Sequence, residues 1–516
     1  MSAIITDQLR ILNAKNFVSA ATSSANSYYS FVGLPNATDY DINWDFNPPS
    51  PRDSFEQEND YWDTMIALKK IKASDVNQVI RKITWSSGTT YDMYRHDISR
   101  TNTSNPSGAT SLYSSNYYVI NSDFRVYICL QNGTDPENPG GRPSLDEPTF
   151  TDLEPKAAGD SGDGYIWKYL YTIKPSEIIK FDTINFMPVP KNWETSSEFA
   201  AIRNNAAFPN NQLKIITITN RGVGLGTANR TYTNVPIKGD GTGARATIVI
   251  NNDSKVESIN VSIGGSGYTY GTVDLEGGNV PTGEVTPTFD VIIPPKGGHG
   301  ADIYRELGAY NVLVFSRIEN DTENPDFITG NKIARVGLVE NPQAHDSTSL
   351  LDLDKASAVY ALKLTGLGFD TATFAANSFI TQTISTGSTA VGRVVSYDQN
   401  TGVLKYWQDK SFVGFNTDGS QNSNPEYGLN LNRFTAQVGT GGTTFIGDTG
   451  LSIDTEFTGI TTTLNNRTYN LGQPFIGGVS NPEVKKYSGN IIYVDNRPSI
   501  TRSQNQKEDI KVILQF

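Results

Sequence analysis

Gly162-Asp163-Gly164-Tyr165-Ile166-Trp167-Lys168-Tyr169-Leu170-Tyr171-Thr172-Ile173 decides the class of this chain. A Gly-Asp-Gly turn opens onto a β-prone run whose odd positions are mostly aromatic, which predicts a strand packed on both faces. The same texture extends outward. Tyr117 to Leu130 is strand material, set between a Ser/Thr/Asn-rich loop over 98–116 and a Pro/Gly loop over 132–154. At the far end Ile510, Val512, Leu514 and Phe516 alternate with Lys511, Ile513 and Gln515, predicting a last strand with one buried face. Its expected neighbours lie within 303–339 and 491–494.

The first 90 residues mix helix and strand. Ala14 to Ala21 reads as a short helix and Tyr28 to Gly33 as a strand. Asn47-Pro48-Pro49-Ser50-Pro51-Arg52-Asp53 is a stiff extended connector, because each proline fixes its φ and moves its predecessor out of the α region. Trp62, Met65, Ile66 and Lys69 follow a helical spacing over 59–70, and Ser74 suits the N-cap of a second short helix through Ile80.

Two segments differ in texture. Between 213 and 295, Ile215, Thr217 and Thr219 lead into Arg221-Gly222-Val223-Gly224-Leu225-Gly226, and Ile259, Val261 and Ile263 into Gly264-Gly265-Ser266-Gly267-Tyr268. This is a degenerate two-copy β repeat with a spacing of roughly 44 residues. From 356 to 459, short alternating strands such as Ala390 to Val395 and Val403 to Trp407 flank a Gln399-Asn400-Thr401-Gly402 turn, which suits a small barrel or sandwich.

A length of 516 residues is enough for ~3–4 domains. Against 42 Lys and Arg stand 54 Asp and Glu, a net charge of -12, which argues against a nucleic-acid partner because phosphate binding needs clustered positive charge. The single cysteine, Cys129, lies in an apolar run and reads as a buried thiol. The opening MSAIITDQLR has no basic flank followed by an apolar run, and no window approaches a membrane span, so a cytoplasmic origin with no membrane partner is expected.

The search for chemistry yields no catalytic, cofactor or metal site. His96, His299 and His345 form no HExxH or HxH pattern, and His299 sits in Lys296-Gly297-Gly298-His299-Gly300, a glycine hinge. Gly265-Ser266-Gly267 is half of a nucleophile elbow, Gly239-Asp240-Gly241-Thr242-Gly243 lacks the Lys-Ser/Thr of a phosphate loop and reads as a hairpin turn, and acidic pairs such as Asp302/Glu306 and Asp352/Asp354 read as solvated.

Four motifs come in order: Pro48-Pro49-Ser50-Pro51-Arg52-Asp53-Ser54 followed by Tyr61-Trp62-Asp63-Thr64-Met65; Val79-Ile80-Arg81-Lys82-Ile83-Thr84-Trp85; Gly162 to Leu170; and Tyr487-Ser488-Gly489-Asn490-Ile491-Ile492-Tyr493-Val494-Asp495-Asn496-Arg497-Pro498. Together with a strand-rich 303–345 ending Asn341-Pro342-Gln343-Ala344-His345, they resemble the baseplate wedge protein 8 family of contractile-tailed, T-even-type bacteriophages. The resemblance covers about 1–210, 300–350 and 465–516. It implies a mainly β fold, α+β in the N-terminal part, with several antiparallel sheets or sandwiches and two inserted β modules. The implied division is a core of 1–95, 300–350 and 465–516, a family-like domain over 96–212, a glycine-rich insertion over 213–299 and a small barrel or sandwich over 356–459.

The resemblance also implies a non-enzymatic virion subunit, a homodimer bound to other wedge proteins, assembled in the host cytoplasm and located in the tail baseplate. It needs no cofactor. Structural or interface candidates are Trp62, Trp85, Asp163, Tyr165, Trp167, Asn496, Arg497 and Pro498. The tryptophans are core or interface anchors. Asn496-Arg497-Pro498 reads as a turn joining two strands, either a plain hairpin or one whose guanidinium gathers several acceptors. The alternative function is a tail-associated glycan-binding or glycan-cleaving β protein, with its aromatic groove or carboxylate pair within 356–459.

Overall fold

The computed structural model describes residues 4–36, 44–207, 212–319, 327, 330–408, 433–503 and 506–516. Parts of two expected segments, 320–326 with 328–329 and 409–432, lie outside the described residues. The fold is mainly β, and its two longest helices fall in the first 64 residues. The chain divides into two compact units: Met1–Val18 with Asn77–Leu313 and Ile513–Phe516, and Ser19–Val76 with Val314–Val512.

In the first unit the deciding stretch forms strand Tyr165–Thr172, which pairs antiparallel with Arg125–Asn132, itself paired with Tyr118–Ile120. Burial alternates imperfectly because both faces are covered. Tyr165, Trp167 and Tyr171 join Tyr117, Tyr118, Tyr127 and Trp193 in one aromatic-rich core. A separate core, drawn from residues 213–293, fills the glycine-rich segment. There a four-stranded sheet runs Val256–Ile263, Arg245–Ile250, Thr231–Gly239, Gly271–Val273, and Ile215–Asn220 pairs with Thr288–Ile292. Both copies of the sequence repeat have the local form read from them, a strand followed by a glycine loop, but the two strands lie in different sheets.

In the second unit a five-stranded sheet has the order Lys355–Ser357, Met65–Lys70, Tyr28–Gly33, Lys332–Glu340, Asn490–Thr501. Gly337 makes it possible: a Cβ there would sit 2.2 Å from the Phe31 ring on the neighbouring strand. A second sheet runs Phe379–Ser385, Ser388–Asp398, Val403–Trp407, Tyr360–Thr365, Ser452–Ile453, with its own core around Leu362, Leu404 and Tyr406.

Four local expectations need correction. The first helix is longer than expected, Asp7–Thr22. The helix expected over 59–70 is Phe55–Thr64, N-capped by Ser54, and it gives way to strand Met65–Lys70. Met65 to Leu68 are buried on both faces of the sheet, so the helical spacing there was accidental and cross-strand pairing prevailed. Ser74 belongs to a single 3₁₀ turn, Ala73–Asp75, after which the β-branched Val76, Val79 and Ile80 form strand Val76–Arg81. Finally, the last strand, Lys507–Gln515, pairs with Asn311–Glu319, whereas Ile491 to Val494 sit in the five-stranded sheet. Of its apolar residues only Val512 is fully buried.

Candidate functional site

The Gly162-Asp163-Gly164 turn is held by its own carboxylate. Asp163 Oδ1 accepts the Tyr165 N–H (3.0 Å) and Oδ2 the Leu145 N–H (2.9 Å). Gly164, at φ +84°, lets the chain pass Gly133, whose Cα would lie 2.7 Å from an added Cβ. Tyr165 is buried; its hydroxyl donates to the Arg142 carbonyl (2.7 Å) and accepts the Tyr91 N–H (2.9 Å), and burial pushes the phenol well above its usual range. Its ring stacks on Trp167 at 5.3 Å. Trp85 is half-buried and donates to Ser144 Oγ (3.1 Å). Asp163, Tyr165 and Trp85 thus meet around one loop, 142–145, which they anchor, and Trp167 stacks on Tyr165 beside them.

Trp62 and Trp167 are buried, and their indole N–H groups have no hydrogen-bond partner among the described residues, so both serve by packing. Both rings are covered within the chain itself.

Asn496, Arg497 and Pro498 do not form a turn. They lie inside strand Asn490–Thr501, at the outer position of the sheet. The register slips between the Ile333/Ile500 and Arg335/Asn496 pairs, and Pro498 occupies that slip, where a missing N–H breaks no regular ladder bond. The three candidates separate. Arg497 is exposed and pairs with Asp495 (2.5 Å), while Asn496 is buried against Arg335.

Arg335, which the sequence reading passed over, organises this region. It is fully buried; Nε donates to Asn496 Oδ1 (2.8 Å), Nη1 to Thr64 Oγ1 and Nη2 to Asn36 Oδ1 (3.0 Å). The guanidinium also stacks over Tyr61 at 4.7 Å and Trp44 at 5.5 Å. Burial lowers its pKa to about 10.

A second polar group lies in the first unit, around a small pocket lined by Lys168, Asn205, Gln212, Lys214, Gly298 and His299. Glu306, expected to be solvated, is buried: Oε1 lies 2.6 Å from His299 Nδ1 and Oε2 accepts the Gly300 N–H (2.7 Å). Lys168 donates to the Leu153 carbonyl (2.7 Å) and Asn205 Oδ1 (3.0 Å), while Glu154 accepts from Asn205 and Lys214. Two hydrogen-bonded groups thus line one pocket: Glu306 with His299 and Gly300 at the glycine hinge, and Lys168 of strand Tyr165–Thr172 with Asn205, Glu154 and Lys214.

Burial lowers the Lys168 pKa from 10.5 to about 8. The unfolded chain therefore holds a proton that the folded chain has released across that interval, and stability from this group rises with pH between them. Lys168→Met is expected to lose about 1.5–3 kcal/mol at pH 7 by leaving its acceptors unpaired, with a deficit that widens from pH 8 to pH 10. Thermal unfolding of both proteins across that range checks the sign; a gap that narrows would refute it.

Among the described residues no three His, Cys, Asp or Glu side chains are grouped to hold a metal ion, and no helix is long and apolar enough to cross a membrane.

Comparison with known proteins bears on part of the chain. Residues 3–154 match the family described as Bacteriophage T4, Gp8. The chain is also similar to the baseplate wedge protein gp8 of Enterobacteria phage T4, 25% identical over 210 residues. That similarity covers 36% of this chain and 60% of the relative's length.

Proposed function

From the match of residues 3–154 to the T4 Gp8 family, which supports the resemblance read from the residues, we propose that this chain is a structural subunit of the baseplate wedge in a contractile phage tail. The observation that carries the reading is that match, and the similarity to a relative named as a baseplate wedge protein supports it. In this reading the chain holds neighbouring wedge proteins together during assembly and infection. It works as a homodimer without enzymatic activity, cofactor or nucleic acid, is assembled in the host cytoplasm and ends in the virion. Its side-chain networks then have a mechanical role: Arg335 and Lys168 fix segments distant in sequence so that each unit presents a rigid surface.

The test is to purify tails from the phage that encodes the chain, identify their proteins by mass spectrometry and locate this one by antibody labelling in electron micrographs. Label confined to the baseplate end is expected; absence from tails refutes the reading. Light scattering of the isolated protein at micromolar concentration is expected to give the dimer mass, and a monomer alone refutes that part.

A further inference from the structure

The stiff connector that the sequence reading singled out is more than a linker. Residues 45–55 run across the second unit with no helix or strand before Phe55, and nearly all are exposed, Pro48 being half-buried. Phe46 and Phe55 bracket the three prolines and are 92% and 89% exposed. An isolated exposed phenylalanine needs no explanation, but two at the ends of one ordered segment do.

The segment is pinned along its length. The buried Trp44 donates its indole N–H to the Arg497 carbonyl (2.7 Å) and Asp45 accepts from Lys332 (3.1 Å) and Ser499. Asn496 Nδ2 donates to the Pro49 carbonyl (2.9 Å). The Tyr61 hydroxyl both accepts the Arg52 N–H and donates to the Arg52 carbonyl (3.0 Å each). Ser54 then caps the following helix, fixing the point where Phe55 emerges. Prolines at 48, 49 and 51 remove most remaining backbone freedom. Little entropy is left to lose on binding, the condition under which exposed aromatic rings become effective anchors.

We propose that residues 46–55 are a pre-shaped docking strap that seats in an aromatic-lined groove on a different protein of the tail; this rests on the wedge reading above. The partner chemistry follows from the strap: a Pro-x-x-Pro segment outside helix and strand, with few backbone donors, is recognised by aromatic faces that pack on proline rings. The six tryptophans of this chain, the broadest proline-packing faces a second copy could offer, are buried or, for Trp85, half-buried, which favours another protein as host.

The experiment places the photo-crosslinker benzoylphenylalanine at position 46 or 55, with a control at the fully exposed Leu367, in tails assembled in infected cells. Mass spectrometry first reports whether the chain is in the tail at all. Adducts from 46 and 55 to one and the same other tail protein, absent from the 367 control, are expected. The double variant Phe46→Ser/Phe55→Ser should melt like wild type yet incorporate into tails at least ~10-fold less. Adducts to a second copy of this chain, to no protein, or unchanged incorporation of the double variant overturn the strap while leaving the wedge reading standing. Absence of the chain from tails overturns both.

Discussion

Replacing Arg335 by alanine is expected to lower the stability of the second unit by about 3–5 kcal/mol, out of the ~5–15 kcal/mol typical of a domain. The arginine is fully buried and its three donors satisfy oxygens on Asn496, Thr64 and Asn36, which come from three separate parts of the chain. Each acceptor left without its donor costs about 1–3 kcal/mol. The rings of Tyr61 and Trp44 would also face a cavity. Arg335→Lys should recover less than half of the loss, because one ammonium cannot reach three acceptors spread around a planar fork. Denaturant unfolding of the alanine and lysine variants beside wild type at pH 7 measures both effects. An alanine variant within about 1 kcal/mol of wild type would mean that Arg335 does not organise the sheet.

Why Arg335 escaped the sequence reading is instructive. Ile333, Arg335, Gly337 and Val339 share one strand face, so an arginine in phase with apolar residues was visible as a candidate for burial. What was not visible was the set of acceptors, which are close only after folding. The same holds for Lys168, His299 and Glu306: each looked ordinary in its local context, and only tertiary structure brings them together. By contrast, the strands Tyr165–Thr172, Tyr28–Gly33 and Val403–Trp407 and the turns at Gly239 to Gly243 and Gln399 to Gly402 were legible, because local composition and short-range turn chemistry set them.

The misreadings have two causes. Residues 65–70 and 76–81 are short apolar runs whose spacing fits helix and strand equally, and the partner strands decided for strand. Asn496-Arg497-Pro498 looked like a turn because proline usually interrupts strands. At the outer strand of a sheet, inside a register slip, that rule does not hold.

Deleting residues 510–516 is expected to destabilise both units, through different contacts. In the second unit the deletion removes Val512, 5% exposed, and the half-buried Ile510, which packs against a core containing Val32, Ile66 and Trp407. Burial of Val512 alone contributes about 1.5–3 kcal/mol, with a smaller share from Ile510. In the first unit it removes Phe516, whose ring lies 5.6 Å from Phe17, whose N–H donates to the Tyr310 carbonyl (3.2 Å) and whose carbonyl accepts from Arg10 (2.5 Å). The truncated chain should melt roughly 10 °C lower, at about 2–4 °C per kcal/mol. Strand Asn311–Glu319 would also lose its neighbour along Val312, Leu313, Val314 and Phe315, all buried now, leaving an apolar edge open to pairing with other chains. Aggregation on warming should therefore accompany the lower melting point. The Arg317–Asp509 ion pair, bidentate at 2.6 and 2.9 Å but on the surface, provides the control: Asp509→Ala should cost no more than about 1 kcal/mol and leave the edge covered. Calorimetry and light scattering of the three proteins distinguish the cases. A truncated chain that melts with wild type and stays clear on heating would show that the last strand closes neither unit.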